Sequence, residues 1–255
     1  MLDFSQSVKA QEAYRAEMYG VPQPPTCPSC GGIGWVRKGA PPGDARFGKL
    51  TPCDTCGNNR HLQYITANCG LQGAELDNRL VAWRTNIGGI LSKQRLAAKR
   101  AMEDAIRNRC GFLAFYGDFG GGKTLALQIV VNEMRHKQIE AFYAPFALVL
   151  DHLRSLFNSD NKSSGFWQRL LDIPVLALDE VTRFHETGWA QERLWLLADT
   201  RYRRIGSHLT VFATNDDPTV SLPTSEPVGY LYSRMRQGCL VELRGDMRTP
   251  PPLSL

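Results

Sequence analysis

The 255 residues of the chain are enough for one large domain, or for a domain of about 200 residues that carries a small module. With 43% apolar and 22% charged residues, the composition excludes wholesale disorder, and the net charge of +5 suits a polyanionic partner without establishing one. No run approaches the roughly 20 apolar residues of a membrane span, and the opening MLDFSQSVKAQEAY lacks the basic-then-apolar order of a secretory signal, so a soluble, cytoplasmic protein with no membrane partner is expected.

Residues 1–26 come first. Leu2, Phe4, Val8, Tyr14 and Met18 fit one face of a short amphipathic helix, closed by Gly20 and VPQPP. The segment reads either as a loose terminus or as a helix that docks on a partner. Residues 27–66 follow as a small module with too few apolar residues to build a core unaided. Two knuckles, Cys27-Pro-Ser-Cys30-Gly and Cys53-Asp-Thr-Cys56-Gly, stand in for that core. In a reducing compartment, close cysteine pairs hold metal more often than they form disulfides, and the seven cysteines are an odd number. The expected site is therefore a closed, structural zinc site of Cys27, Cys30, Cys53 and Cys56 in a zinc-ribbon-like module. His61 is left out because four thiolates suffice. A redox-active reading lacks the βαβ surround that such chemistry uses. Trp35 and Phe47 serve either as a miniature core or, with Arg37, Lys38, Arg46 and Lys49, as a surface for bases and phosphates. Cys69, Cys110 and Cys239 read as small core residues.

Residues 67–255 alternate helical and strand-like runs, which predicts an α/β domain with a parallel sheet flanked by helices. In order these are a basic helix over 92–109, the strand FLAFYG, a glycine-rich turn, a helix over 123–137, the strand IEAFYA, a helix over 147–158, the strand PVLALD, a helix over 188–204 and the strand HLTVFAT. The turn Gly117-Asp118-Phe119-Gly120-Gly121-Gly122-Lys123-Thr124 satisfies G-x-x-x-x-G-K-T between a strand and a helix. Its glycines let backbone N–H groups wrap phosphates, Lys123 reaches the β- and γ-phosphates of ATP, and the Thr124 hydroxyl serves Mg²⁺. PVLALD ends in Asp179 and Glu180, the first to hold Mg²⁺ through water and the second to polarise the attacking water. HLTVFAT ends in Thr214-Asn215, which places the Asn215 amide to position that water or, more blandly, makes a turn.

GDFGGGKT, VLALDE and VFATND, in this order, resemble the P-loop AAA+ ATPases, and among them the DnaC-type helicase loaders and IstB-type transposition helpers. Leu231-Tyr-Ser-Arg234-Met-Arg236-Gln-Gly238 is similar to the loaders' R-M-R-x-G segment, which makes Arg234 the finger that reaches the nucleotide of a neighbouring subunit. The few residues after Gly238 imply a domain with no C-terminal helical lid. CPSCGGIGW resembles the zinc-bearing leader of some bacterial and phage DnaC-like proteins, and half of it the modules of DnaJ-type chaperones, whose helical domain is not found. The resemblance implies self-association through the ATP sites, a hexameric DnaB-type helicase as partner, single-stranded DNA as ligand, and a bacterial or phage-infected cell as setting. It also implies a DNA grip between the P-loop helix and the acidic strand, where Phe146, His152, Arg154, Phe157, Lys162, Phe166 and Trp167 lie. Lys93, Arg95, Lys99, Arg100, Arg107 and Arg109, and later Arg201, Arg203 and Arg204, read as solvated faces or further DNA contacts. An IstB-like helper assembling on duplex DNA, and a nucleotide-dependent switch without hydrolysis, are the alternatives.

Overall fold

The computed structural model describes residues 27–30, 35–37, 39, 50–55, 57–87, 90–156 and 162–245. The expectations for residues 1–26, for Lys38, Arg46, Phe47, Lys49, Cys56 and Phe157, and for the side chains of Trp35, His61 and Lys162 lie outside what is described. The chain divides into two units, Met1–Ala67 and Asn68–Leu255. In the first, β1 (Trp35–Arg37) pairs antiparallel with β2 (Leu50–Pro52), and α1 (Gly57–Ala67) follows.

The second unit opens with two 3-10 turns, Gly73–Asp77 and Leu80–Ala82, and a small hairpin of β3 (Asn86–Ile87) and β4 (Ile90–Leu91). Then come α2 (Lys93–Asn108), β5 (Gly111–Tyr116), α3 (Lys123–His136), β6 (Ala141–Pro145), α4 (Phe146–Ser155), α5 (Lys162–Asp172), β7 (Val175–Asp179), α6 (Gly188–Arg203), β8 (Leu209–Thr214), α7 (Pro227–Met235) and β9 (Cys239–Glu242). The basic helix starts where Ser92 accepts a hydrogen bond from the Arg95 N–H, and it stops at Arg109 in the left-handed region.

Five strands form a sheet in the order β6-β7-β8-β5-β9, parallel throughout. Strands of a parallel sheet are covered on both faces, which explains why VLALD and LTVFAT are buried along their whole length. Alternation sorts the side chains. Leu113, Phe115, Val175, Ala177, Val211 and Ala213 pack with α2 and α3 on one face. Phe112, Ala114, Leu176, Leu178 and Phe212 pack with α4 to α7 on the other. β5 lies between β8 and β9 while the chain leaves it for distant β6, and in such open sheets the crevice for ligands lies at the carboxyl ends of the strands.

Three expectations about basic and sulfur side chains are corrected here. Arg201 is fully buried rather than solvated, and donates to Thr210 Oγ1, Ile173 O, Leu209 O and Leu171 O at 2.6–3.2 Å. Arg95 is also buried, stacked 4.1 Å above the Trp83 ring and bonded to the Arg84 carbonyl. Cys69 is core, but Cys239 is exposed, at the start of β9, the strand on the edge of the sheet. Phe146, read as a DNA contact, is core as well, edge-on to Phe184. Among the described residues no helix is long and apolar enough to cross a membrane.

Candidate functional site

At the carboxyl ends of β5, β7 and β8 an open cavity of about 470 Å³ is lined by Phe119, Gly120, Gly122, Lys123, Thr124, Leu125, Gln128, Asp179, Glu180, Thr214 and Asn215. Residues read from three separate motifs thus meet in one place. Leu125, Gln128 and Thr214 join them without having been singled out.

The glycine-rich turn has the backbone its sequence asks for. Gly117, Gly120 and Gly122 sit at φ of 117°, 78° and 95°, and Gly122 caps the N-terminus of α3. A 14-residue helix starting there turns its first N–H groups and the positive end of its dipole toward the cavity. Gly117 and Gly121 do not line the cavity but back onto the segment after β9. A Cβ at Gly117 would stand 2.6 Å from the Leu243 carbonyl oxygen, and one at Gly121 2.7 Å from it. That carbonyl accepts from Asp118 N–H at 3.1 Å, Leu243 N–H donates to Tyr116 O at 2.8 Å, and Gly245 N–H donates to Asp118 Oδ2 at 3.1 Å.

Lys123 is buried, and its ammonium donates to the carbonyls of Gly117 at 2.8 Å and Asp118 at 2.6 Å. Burial lowers its pKa, while Asp179, Asp118 and Glu180 pull it back up. Phe119 stands exposed at the loop tip, with Lys123 and Arg183 each 5.9 Å from its ring centre.

Asp179 is only 4% exposed. Its Oδ1 accepts the Glu180 N–H at 2.9 Å and its Oδ2 the Tyr143 hydroxyl at 3.0 Å. Burial, then the neighbouring Asp179 charge, raises the pKa of Tyr143 well above its ordinary value, so the phenol stays a donor. A carboxylate has about four acceptor positions, and two remain on Asp179. With the exposed Thr124 hydroxyl, this is the all-oxygen donor set that Mg²⁺ takes. Glu180 occupies the left-handed region at φ 48°, unfavourable by roughly 1 kcal/mol for a side-chain-bearing residue, and pairs with Arg183 at 3.5 Å. Behind Asn215 the turn is tied down: Thr182 Oγ1 lies 2.9 Å from Thr214 Oγ1 and donates to Asp216 Oδ2 at 2.5 Å, and Asp216 N–H donates to Thr214 Oγ1 at 3.1 Å.

Arg234 does not reach this cavity. It projects from α7 over the rings of Tyr202 and Tyr230, 3.9 and 4.5 Å from their centres, and donates to the Tyr230 hydroxyl at 2.6 Å. Tyr230 in turn donates to Asp199 at 2.7 Å. Arg236 is tied to the carbonyls of Pro218 and Val220. Of the residues between α3 and β7, His152 lies edge-on to Phe166, Arg154 lies over Trp189, and Trp167 lies under Arg193 of α6.

In the first unit Cys27, Cys30 and Cys53 are buried, and their sulfurs lie within 4.8 Å of one another. Cys27 Sγ is 3.9 Å from Cys53 Sγ, against about 2.05 Å for a disulfide. Ser29 and Thr55, one in each knuckle, join their hydroxyls at 2.7 Å. The three thiols form a cluster that can hold a metal.

No protein-family model and no curated protein matches the chain. Solved structures do. The DnaC helicase loader superposes with a TM-score of 0.56 at 17% identity over 68% of this chain and 100% of its own. DnaI gives 0.55 at 19% identity over 71% and 96%. The replication initiator DnaA bound to AMPPCP and single-stranded DNA gives 0.55 at 20% identity, over 67% of this chain and 50% of its own. The chain shares its fold with these structures. The parallel five-stranded sheet and its flanking helices are what that fold and the sequence expectation share.

Proposed function

We propose that the chain is an oligomerising ATPase that loads a DnaB-type replicative helicase onto single-stranded DNA. The observation that carries this reading is the single cavity in which Lys123, Thr124, Asp179, Glu180 and Asn215 meet, within the fold of the DnaC helicase loader. Lys123 exchanges the carbonyls of Gly117 and Asp118 for phosphate oxygens, a gain because those carbonyls carry only partial charge. Thr124 and Asp179 would hold the Mg²⁺, which would neutralise phosphate charge. Glu180 takes the proton of the attacking water, and Asn215, fixed by the Thr182–Thr214–Asp216 hydrogen bonds, orients that water. Arg234, off its own cavity and held by two tyrosines, serves the site of a neighbouring copy. Cys27, Cys30, Cys53 and Cys56 would hold a zinc ion that closes the first unit. The 3.9 Å sulfur separation supports this, since a tetrahedron with 2.3 Å Zn–S bonds has edges of about 3.8 Å.

Native mass spectrometry of the protein with the helicase of its host tests the reading. Several copies per helicase hexamer, formed with ATP and each carrying one zinc, is the expected result. Filaments on duplex DNA that ignore the helicase would replace it with the transposition-helper reading. Glu180→Gln should cut hydrolysis at least about a hundredfold while nucleotide binding and assembly persist and release from the helicase fails. A non-hydrolysing switch would be indifferent to it.

A further inference from the structure

The segment just ahead of the ATPase core is wired to the carboxylate at its centre. Cys69 O accepts from Tyr143 N–H at 2.8 Å, and the chain passes so close that a Cβ on Gly70 would stand 1.9 Å from the Tyr143 carbonyl oxygen. Five residues on, Glu75 takes the Gln72 N–H on one carboxylate oxygen at 3.0 Å and the Gln128 Nε2 on the other at 2.9 Å. Asn78 Nδ2 donates to Gln128 Oε1 at 2.8 Å. Both ends of that amide are thereby assigned. With Oε1 accepting from Asn78, the amide cannot flip, and its remaining N–H is left for the Tyr143 hydroxyl, whose pKa Gln128 pulls down against the larger upward push of burial and Asp179. Tyr143 then gives its own proton to Asp179 Oδ2. The donors run in one direction, from Asn78 through Gln128 and Tyr143 to Asp179. Gln128, Tyr143 and Asp179 are 7%, 6% and 4% exposed, so water does not compete for these bonds.

We propose that Tyr143 is a positioning residue for Asp179, and that the segment Gln72–Asn78 sets it through Gln128. This deepens the nucleotide reading above and rests on it. A carboxylate held at one end by a backbone N–H and at the other by a phenol presents a fixed pair of lone pairs to a cation, whereas one held only by Glu180 N–H can rotate. Movement of the 72–78 segment, for instance when a partner binds ahead of it, reaches the cation site without touching nucleotide.

The test uses the full chain and the affinity of a fluorescent ATP analogue, measured in EDTA and then titrated with Mg²⁺. Tyr143→Phe keeps the ring and removes one hydroxyl. It should raise the Mg²⁺ concentration for half-maximal tightening about tenfold, leaving metal-free affinity and the urea midpoint close to wild type. Glu75→Gln, at a half-buried site where folding is safe, should shift the same curve by a smaller factor. Combined with Tyr143→Phe it should add nothing, because both act through one chain of bonds. Equal Mg²⁺ curves for Tyr143→Phe and wild type overturn the positioning role. Additive shifts in the double variant overturn the link to the 72–78 segment. A wild-type chain that binds no nucleotide under either condition overturns the nucleotide reading itself.

Discussion

Two cations are buried at opposite ends of the same sheet, and they are held in opposite ways. Arg201, 0% exposed, sits where β7 and β8 begin, and its guanidinium meets Thr210 Oγ1 and the carbonyls of Leu171, Ile173 and Leu209. Lys123, 8% exposed, sits where β5 ends, and its ammonium has two carbonyls of a glycine-rich loop and an open cavity ahead of it. Burial depresses both, Arg201 to about 9 with Arg204 adding and Asp172 opposing, and Lys123 against the upward pull of Asp179, Asp118 and Glu180. The difference is in the partners. A planar guanidinium held by one hydroxyl and three main-chain carbonyls is a strut, and a point charge on two loop carbonyls is waiting for better acceptors.

That contrast can be broken at either end. Lys123→Ala should weaken ATP-analogue binding more than about a hundredfold, the scale of a lost charged contact to phosphate, with little change in the urea midpoint. Arg201→Leu should do the reverse. Several buried acceptors lose their donor, so unfolding in urea should come easier by about 3 kcal/mol, while the folded fraction binds nucleotide as wild type does. If Arg201→Leu weakened binding as much as Lys123→Ala, the division into strut and ligand would fail. A smaller effect is expected at Glu133, which accepts from Arg79 Nε at 2.8 Å, Arg79 Nη2 at 3.2 Å and Leu80 N–H at 3.1 Å. Burial pushes the pKa of this carboxyl up, and Arg79 with the Leu80 N–H more than reverses it, leaving it below its ordinary value. A depressed acid stabilises the fold above its unfolded pKa of about 4.3 and loses that contribution as pH falls through the folded value. Glu133→Gln should therefore cost about 1–2 kcal/mol near neutral pH, and the gap to wild type should close on acidification below about pH 4.

The sheet and the cavity were legible because buried parallel strands read as unbroken apolar runs and because phosphate chemistry constrains its loop. FLAFY, VLALD and LTVFAT fall within a residue of β5, β7 and β8. α5, α7 and β9 escaped notice: the first two are short and amphipathic, and CLVE is four residues on a sheet edge. Arg201 misled as one of three arginines in TRYRR. Yet it lies four residues after Leu197 and seven after Leu194, on the apolar stripe of α6, and that periodicity outranked its charge. Tyr143 was hidden inside a strand-like run, although a buried tyrosine needs a partner for its hydroxyl, and an acidic neighbouring strand end was at hand. Its role depends on which strands become neighbours, and sequence alone does not carry that.

The Leu243 carbonyl carries a consequence for reading mutants of the phosphate loop. It stands where a methyl group on Gly117 or Gly121 would have to go, and it is bonded to the loop through Asp118 N–H. Two demands therefore converge on the same glycines, one from ligand chemistry in front and one from main chain behind. Loss of nucleotide binding in Gly121→Ala would report the displacement of the 243–245 segment as readily as a spoiled phosphate contact. Conversely, a perturbation that pulls on that segment would act on the loop from its rear, making residues 243–245 a handle on the cavity.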